Sequence, residues 1–155
     1  MLNRFEHFSY ALSEISRYWH KLTSEEMEPY GLRGTHSVYL ITLAQYPDGL
    51  TAPELCHLCR KDKADVSRMM SMMIKKHLVV KESVYQNKYN GVFKLTDTGR
   101  EIAEHVRAKA DYAVNYAGRD MTDAQRIAFY AALDSIVDNL RQLTDEGIPP
   151  YESLI

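Results

Sequence analysis

Cys56 and Cys59 are the only two thiols of the chain, three residues apart in Cys56-His57-Leu58-Cys59. On a helix, positions i and i+3 share a face, so the pair has the geometry of a thiol switch or of half a metal site. No second CxxC completes a structural zinc site. The six histidines (7, 20, 36, 57, 77 and 105) form no HExxH or similar cluster, so neither a metal site nor a cofactor is assigned. A cysteine inside a short helix also serves as a small buried hydrophobe, and that alternative stands beside a redox role for Cys56 and Cys59. The other concentration of chemistry is cationic. Residues 60–94 hold nine Lys/Arg and three Asp/Glu, a net of +6, in a chain of net charge -2, so the remainder carries -8. A local basic stretch is the electrostatic footprint of a nucleic-acid partner, or else a solvated charged face. There is no Gly-rich phosphate loop, nucleophile elbow or recognisable pair of carboxylates, and no enzyme activity is expected.

The elements that must position these residues fit within 155 residues, enough for one compact domain or one domain plus a dimerisation element. With 45% hydrophobic and 26% charged residues, the composition is that of neither a disordered nor a membrane protein. The opening Met1-Leu2-Asn3-Arg4-Phe5-Glu6-His7 has no apolar core of a signal peptide, and a cytoplasmic location is expected.

Phe5, Phe8, Leu12, Ile15, Trp19 and Leu22 recur at spacings of 3, 4, 3, 4, 3, which predicts a helix over about 2–29 with heptad character, ended by Pro29 and Gly31. A largely buried helix follows at about 35–46, then a turn at Pro47-Asp48-Gly49. Thr51-Ala52-Pro53-Glu54 is a capping box for a short helix of about eight residues. Asp62 caps the next, at about 63–76, whose apolar side is Val66, Met69, Met70, Met73 and Ile74. Its other side carries Lys63, Asp65, Ser67, Arg68, Ser71 and Lys75. Two helices joined by a tight turn, the second with a polar, basic outward face, fit a helix-turn-helix. Leu78–Tyr85 and Val92–Leu95 read as strands around a loop containing Asn90-Gly91, a hairpin in the position of a wing. Thr96 and Thr98 offer caps for a helix at about 97–117. Thr122-Asp123-Ala124-Gln125 opens a last one at about 123–144, with Ile127, Tyr130, Leu133, Ile136 or Val137, Leu140 and Leu143 along one side.

With its residues in place, this order resembles the MarR family of transcriptional regulators. The segments that carry the resemblance are Leu50-Thr51-Ala52-Pro53-Glu54-Leu55, Asp62-Lys63-Ala64-Asp65-Val66-Ser67-Arg68-Met69, Lys75-Lys76-His77-Leu78-Val79 and Leu95-Thr96-Asp97-Thr98-Gly99-Arg100. The resemblance implies a mainly α fold with a small β-hairpin wing. It implies a dimerisation helix in 1–31, a winged helix-turn-helix in 32–96, and dimerisation helices with a C-terminal tail in 97–155. It also implies a homodimeric repressor of a palindromic double-stranded operator, released by a small-molecule effector.

The DNA-contacting residues implied are Lys61, Lys63, Ala64, Asp65, Ser67, Arg68 and Lys75, with Asn87 and Lys88 at the wing tip. Arg68 suits a guanine, the lysines suit phosphates, and Asp65 could accept from a cytosine amino group. Arg68 could instead form a surface ion pair with Asp62 or Asp65. The family's wing-tip Asp-x-Arg is replaced here by Asn87 and Tyr89, and its glycine after the recognition helix by His77. Tyr10, Arg17, Trp19, His20, His36 and Tyr39 are the candidate effector lining, with plain packing as the alternative. A winged-helix module that binds protein rather than DNA, and a thiol or metal switch on the same scaffold, are the other readings.

Overall fold

Most of the helices begin where a side chain can take up the amide groups that the first turn leaves free. The computed structural model describes residues 3–83 and 91–150. Helix α1, Arg4–Met27, starts on Asn3, whose side chain accepts from the Glu6 amide while Glu6 reaches back to the Asn3 amide. A single 3-10 turn, Glu28–Tyr30, follows, and Gly31 closes it in the left-handed conformation that glycine adopts without strain. Helix α2 is His36–Ala44. Helix α3, Ala52–Cys59, begins on the Thr51–Glu54 capping box and α4, Lys63–Lys75, on Asp62, whose Oδ1 accepts from the Asp65 amide at 2.8 Å. Strands β1, Val79–Ser83, and β2, Gly91–Leu95, pair antiparallel, with Val79 opposite Leu95 and Ser83 opposite Gly91. Helix α5 is Asp97–Ala117, and α6, Asp123–Glu146, opens on the Thr122–Gln125 capping box. The architecture is mainly α with a β-hairpin, a winged helix-turn-helix.

The chain divides into two compact units, Met1–Tyr112 and Ala113–Ile155, the boundary falling near the end of α5. The first unit holds one hydrophobic core. Leu40 and Leu43 of α2, Leu55 of α3, Val66, Met70 and Met73 of α4, Leu78, Val79, Phe93 and Leu95 around the hairpin, and Ile102, Ala103 and Val106 of α5 all contribute. Leu50 joins the hairpin as a bridge, exchanging backbone hydrogen bonds with Phe93 at 3.0 and 2.8 Å. In α4 and α5 the buried residues form a helix stripe, and in β2 they alternate along the strand, as amphipathic patterning requires.

In the second unit the Arg126 guanidinium donates to the Gly118 carbonyl at 3.1 Å, tying the start of α6 to the turn before it. No residue of α6 is buried. No described helix is long and apolar enough to cross a membrane.

Candidate nucleic-acid interface

A recognition surface needs a rigid backbone before its side chains can discriminate, and α4 is fixed at both ends. At its start Arg60 takes a left-handed conformation (φ 52°), and the amides of Arg60 and Lys61 bond back to the last carbonyls of α3. That turn reverses the chain tightly enough for Asp62 to cap α4 two residues later. At its end His77 is left-handed (φ 58°), and the Leu78 amide donates to Met73 O at 2.9 Å. This is the position where the sequence departs from glycine, and the backbone nonetheless adopts the conformation that glycine favours. The Thr96 hydroxyl donates to the His77 carbonyl at 2.8 Å and accepts from the Gly99 amide at 3.0 Å, so one side chain ties the end of α4 to the start of α5.

Val66, Met70 and Met73 face the core, with Met69 and Met72 half-buried against it. That leaves Lys63, Ala64, Ser67, Arg68, Ser71, Ile74 and Lys75 exposed on α4, and Lys61 exposed just before it; Ile74, expected on the apolar side, falls on the outward one. These positions follow the helical repeat, so they form one continuous edge. The Lys76 ammonium lies against Gly31, where an added Cβ would stand 2.7 Å from it.

Asp65 is the exception on this edge. Its side chain is only 23% exposed, and it is shared between two partners. The Tyr39 hydroxyl, from α2, donates to Oδ2 at 2.7 Å, and Arg68 Nη2 donates to Oδ1 at 3.2 Å. The Tyr39 hydrogen bond, followed by that from Arg68 and the positive charge of Lys61, holds the Asp65 carboxyl below its usual range. Burial first, then the hydrogen bond to Asp65 and after it the Asp65 charge, push the Tyr39 phenol far up, so it stays a donor.

In the hairpin, Lys94 Nζ pairs with Glu82 at 2.8 Å and Lys81 Nζ sits 5.5 Å from the Phe93 ring centroid. Asn87 and Lys88 lie outside the described residues.

The residues singled out for an effector are not brought together. Tyr10 and Trp19 are exposed on α1, and Arg17 is exposed and chelates Glu14 at 2.8 and 2.9 Å. His36 and Tyr39 have no exposure at all. A cavity of about 630 Å³ lies at the C-terminal end of α1 and is lined by His20, Lys21, Ser24, Glu25, Arg33 and Thr35 among others. Of the six candidates only His20 lines it. Cys59 is buried, 3.7 Å from the Thr42 hydroxyl, and burial pushes its thiol up, away from the reactive thiolate. Cys56 is half-buried. No group of three or more metal-ligating side chains occurs among the described residues.

The Tyr39–Asp65 bond joins residues 26 apart, and no sequence spacing signals it. The cavity, too, is made by a helix end meeting a loop, with no motif of its own.

No family sequence model matches the chain. No curated protein matches it by sequence. Solved structures do. A MarR family transcriptional regulator from Listeria monocytogenes, complexed with 26mer DNA, superposes with a TM-score of 0.77 at 18% identity, covering 97% of this chain and 99% of that one. The MepR–DNA complex of S. aureus gives 0.77 at 17% identity, covering 85% and 97%. CouR from Rhodococcus jostii RHA1, bound to p-coumaroyl-CoA, gives 0.69 at 18% identity, covering 83% and 90%. In all three, nearly the whole neighbour is spanned, and with the capped α3–α4 pair and the hairpin behind it this chain has the winged helix-turn-helix fold of the MarR family transcriptional regulators.

Proposed function

We propose that the protein is a DNA-binding transcriptional regulator that acts as a homodimer. It represses from a palindromic double-stranded operator and is released by a small-molecule effector. The observation that carries this reading is the exposed edge of α4, where Lys63, Ala64, Ser67, Arg68 and Lys75 stand beside Lys61 on a helix locked at both ends. A helix of this kind enters a major groove. Lysines there meet phosphates and set register, while an arginine pairs bidentately with guanine and discriminates by about 1–3 kcal/mol. Two of the structural neighbours above are DNA complexes, which supports the same use of this fold.

The homodimer is supported by two exposed apolar stripes. On α1, Phe5, Phe8, Leu12, Ile15, Trp19 and Leu22 are exposed. On α6, Phe129, Leu133, Ile136, Leu140 and Leu143 are exposed at heptad spacing. Stripes of this length ordinarily mark an association surface. A two-fold dimer would set two α4 helices about 34–36 Å apart, one turn of DNA, and so call for a palindrome. An effector regulates only if it favours one arrangement over the other. We assign it to the cavity beside His20, whose volume falls in the usual range for small-molecule sites.

Fluorescence anisotropy with the DNA upstream of its own gene, at two salt concentrations, tests the reading. Tight binding is expected whose logarithm falls steeply with the logarithm of salt, by about 0.9 per phosphate neutralised. Arg68→Ala should weaken it about tenfold or more. Absence of any binding at low salt would hand the lead to a protein-binding role.

A further inference from the structure

We propose that Tyr39, a core residue of α2, is a positioning residue for sequence recognition: through Asp65 it fixes where the Arg68 guanidinium stands on α4. This deepens the DNA-binding reading above and rests on it.

The Tyr39 ring is wholly buried, and its hydroxyl finds its partner on the recognition helix rather than elsewhere in the core. A phenylalanine would fill the same space with no polar atom to satisfy, whereas a buried hydroxyl without a partner is costly. The hydroxyl therefore matters for what it holds. What it holds is one oxygen of a carboxylate whose backbone is already pinned, because the Asp65 amide donates to the Asp62 cap at 2.8 Å. The other oxygen takes Arg68 Nη2 at 3.2 Å.

An Asp–Arg pair at i and i+3 on an exposed face is weak by itself, because both long side chains lose freedom for little gain in water. Here one partner has lost its freedom already. The pinned carboxylate turns a floppy surface pair into a fixed one, and the guanidinium of an arginine whose side chain is 69% exposed is aimed from a known point. Only one of its N–H groups is hydrogen-bonded to Asp65, so others remain for the O6 and N7 of a guanine. Ordering the arginine before DNA arrives removes part of the entropic cost of that contact. The same carboxylate repels a phosphate that approaches Arg68 out of register, so the fixed pair favours base contact over indiscriminate backbone contact.

The test compares two affinities for each variant. A preferred duplex is first selected by the wild-type protein from a randomised pool, and a scrambled duplex of equal length serves as reference. Tyr39→Phe should cut the preferred-to-scrambled ratio about tenfold while leaving scrambled binding unchanged. Combined with Arg68→Ala, it should cost no further selectivity, because Tyr39 acts through Arg68. An unchanged ratio, or losses that simply add, overturns the inference. A lowered melting temperature alone does not support it. Should Tyr39→Phe fail to fold, Asp65→Asn keeps an acceptor for the phenol and removes the charge that holds Arg68; selectivity unchanged in that variant overturns the inference equally. A wild-type protein that binds no duplex at low salt overturns the DNA-binding reading and this inference with it. Wild-type selectivity retained in full by Tyr39→Phe overturns this inference alone.

Discussion

His36 sits in the core with no exposure, three residues before Tyr39 on the same face of α2. Its Nδ1 lies 2.9 Å from the Arg33 amide and 3.0 Å from the Arg33 carbonyl, while Nε2 has no partner among the described residues. A second ring proton would leave a charged donor unsatisfied in an apolar setting. Burial accordingly depresses this histidine below its ordinary value of 6.5. The Arg33 carbonyl and the Asp65 charge oppose that shift, and the charges of Arg33 and Lys76 reinforce it. Since the unfolded chain takes up the proton first, the stability gained from a neutral His36 is complete above about pH 6.5. It is lost as pH falls below that value toward the lower folded-state pKa. Urea denaturation across about pH 5–8 should therefore show an acid limb that flattens in His36→Gln, which retains an acceptor and does not titrate. Equal acid limbs in both proteins would show that His36 is not the group responsible.

The ends of the elements were the most legible feature of the sequence, because caps are local. Thr51-Ala52-Pro53-Glu54, Asp62 and Thr122-Asp123-Ala124-Gln125 place the starts of α3, α4 and α6, and each forms the hydrogen bonds its residues imply. Thr96, rather than Thr98, caps α5. The first helix, expected to reach about residue 29, stops at Met27 and tightens to a 3-10 turn, since Pro29 removes an amide from the ladder. Long-range contacts were not legible. Neither the Leu50–Phe93 bridge nor the Tyr39–Asp65 bond has a periodic signature, because each depends on how separate elements meet.

The junction of α4, hairpin and α5 also shows where element packing dictates residue type. An added Cβ at Gly99 would stand 2.1 Å from the Leu78 carbonyl oxygen, a backbone atom that cannot step aside, so Gly99→Ala should destabilise by about 1–3 kcal/mol. His77, held left-handed, predicts the opposite sign: His77→Gly should stabilise by about 0.5–1 kcal/mol, the relief of the Cβ clash less glycine's entropy. Thermal or urea melts of the two variants read both. A neutral Gly99→Ala would mean that α5 can shift on the hairpin.

At the scale of the whole molecule, apolar surface and charge are both unevenly spread. α6 is a 24-residue helix with no buried residue, yet Phe129, Leu133, Ile136, Leu140 and Leu143 recur along it at alternating spacings of four and three. A solvated helix has no need of such a seam, and leaving it in water forfeits roughly 25 cal/mol for each Å² of apolar surface. A second copy of the chain is the simplest cover, since a two-fold axis pairs any such stripe with itself. The basic stretch then matters twice over. One copy presents a net +6 over residues 60–94 against -8 elsewhere, so the proposed dimer would bring two cationic edges to one duplex while its acidic remainder would be repelled from the phosphates. The two engagements would multiply through effective concentration. Replacing Leu133 and Leu140 by Glu sets like charges against each other across the axis and should yield a monomer by analytical ultracentrifugation. The melting temperature should also lose the concentration dependence expected of the wild type. With α4 untouched, the monomer should still bind a half-site in low salt but lose about 100-fold or more on the full palindrome. A double variant that remains dimeric would move the interface off this seam, and a wild type that is monomeric at micromolar concentration would leave the stripe to some other partner.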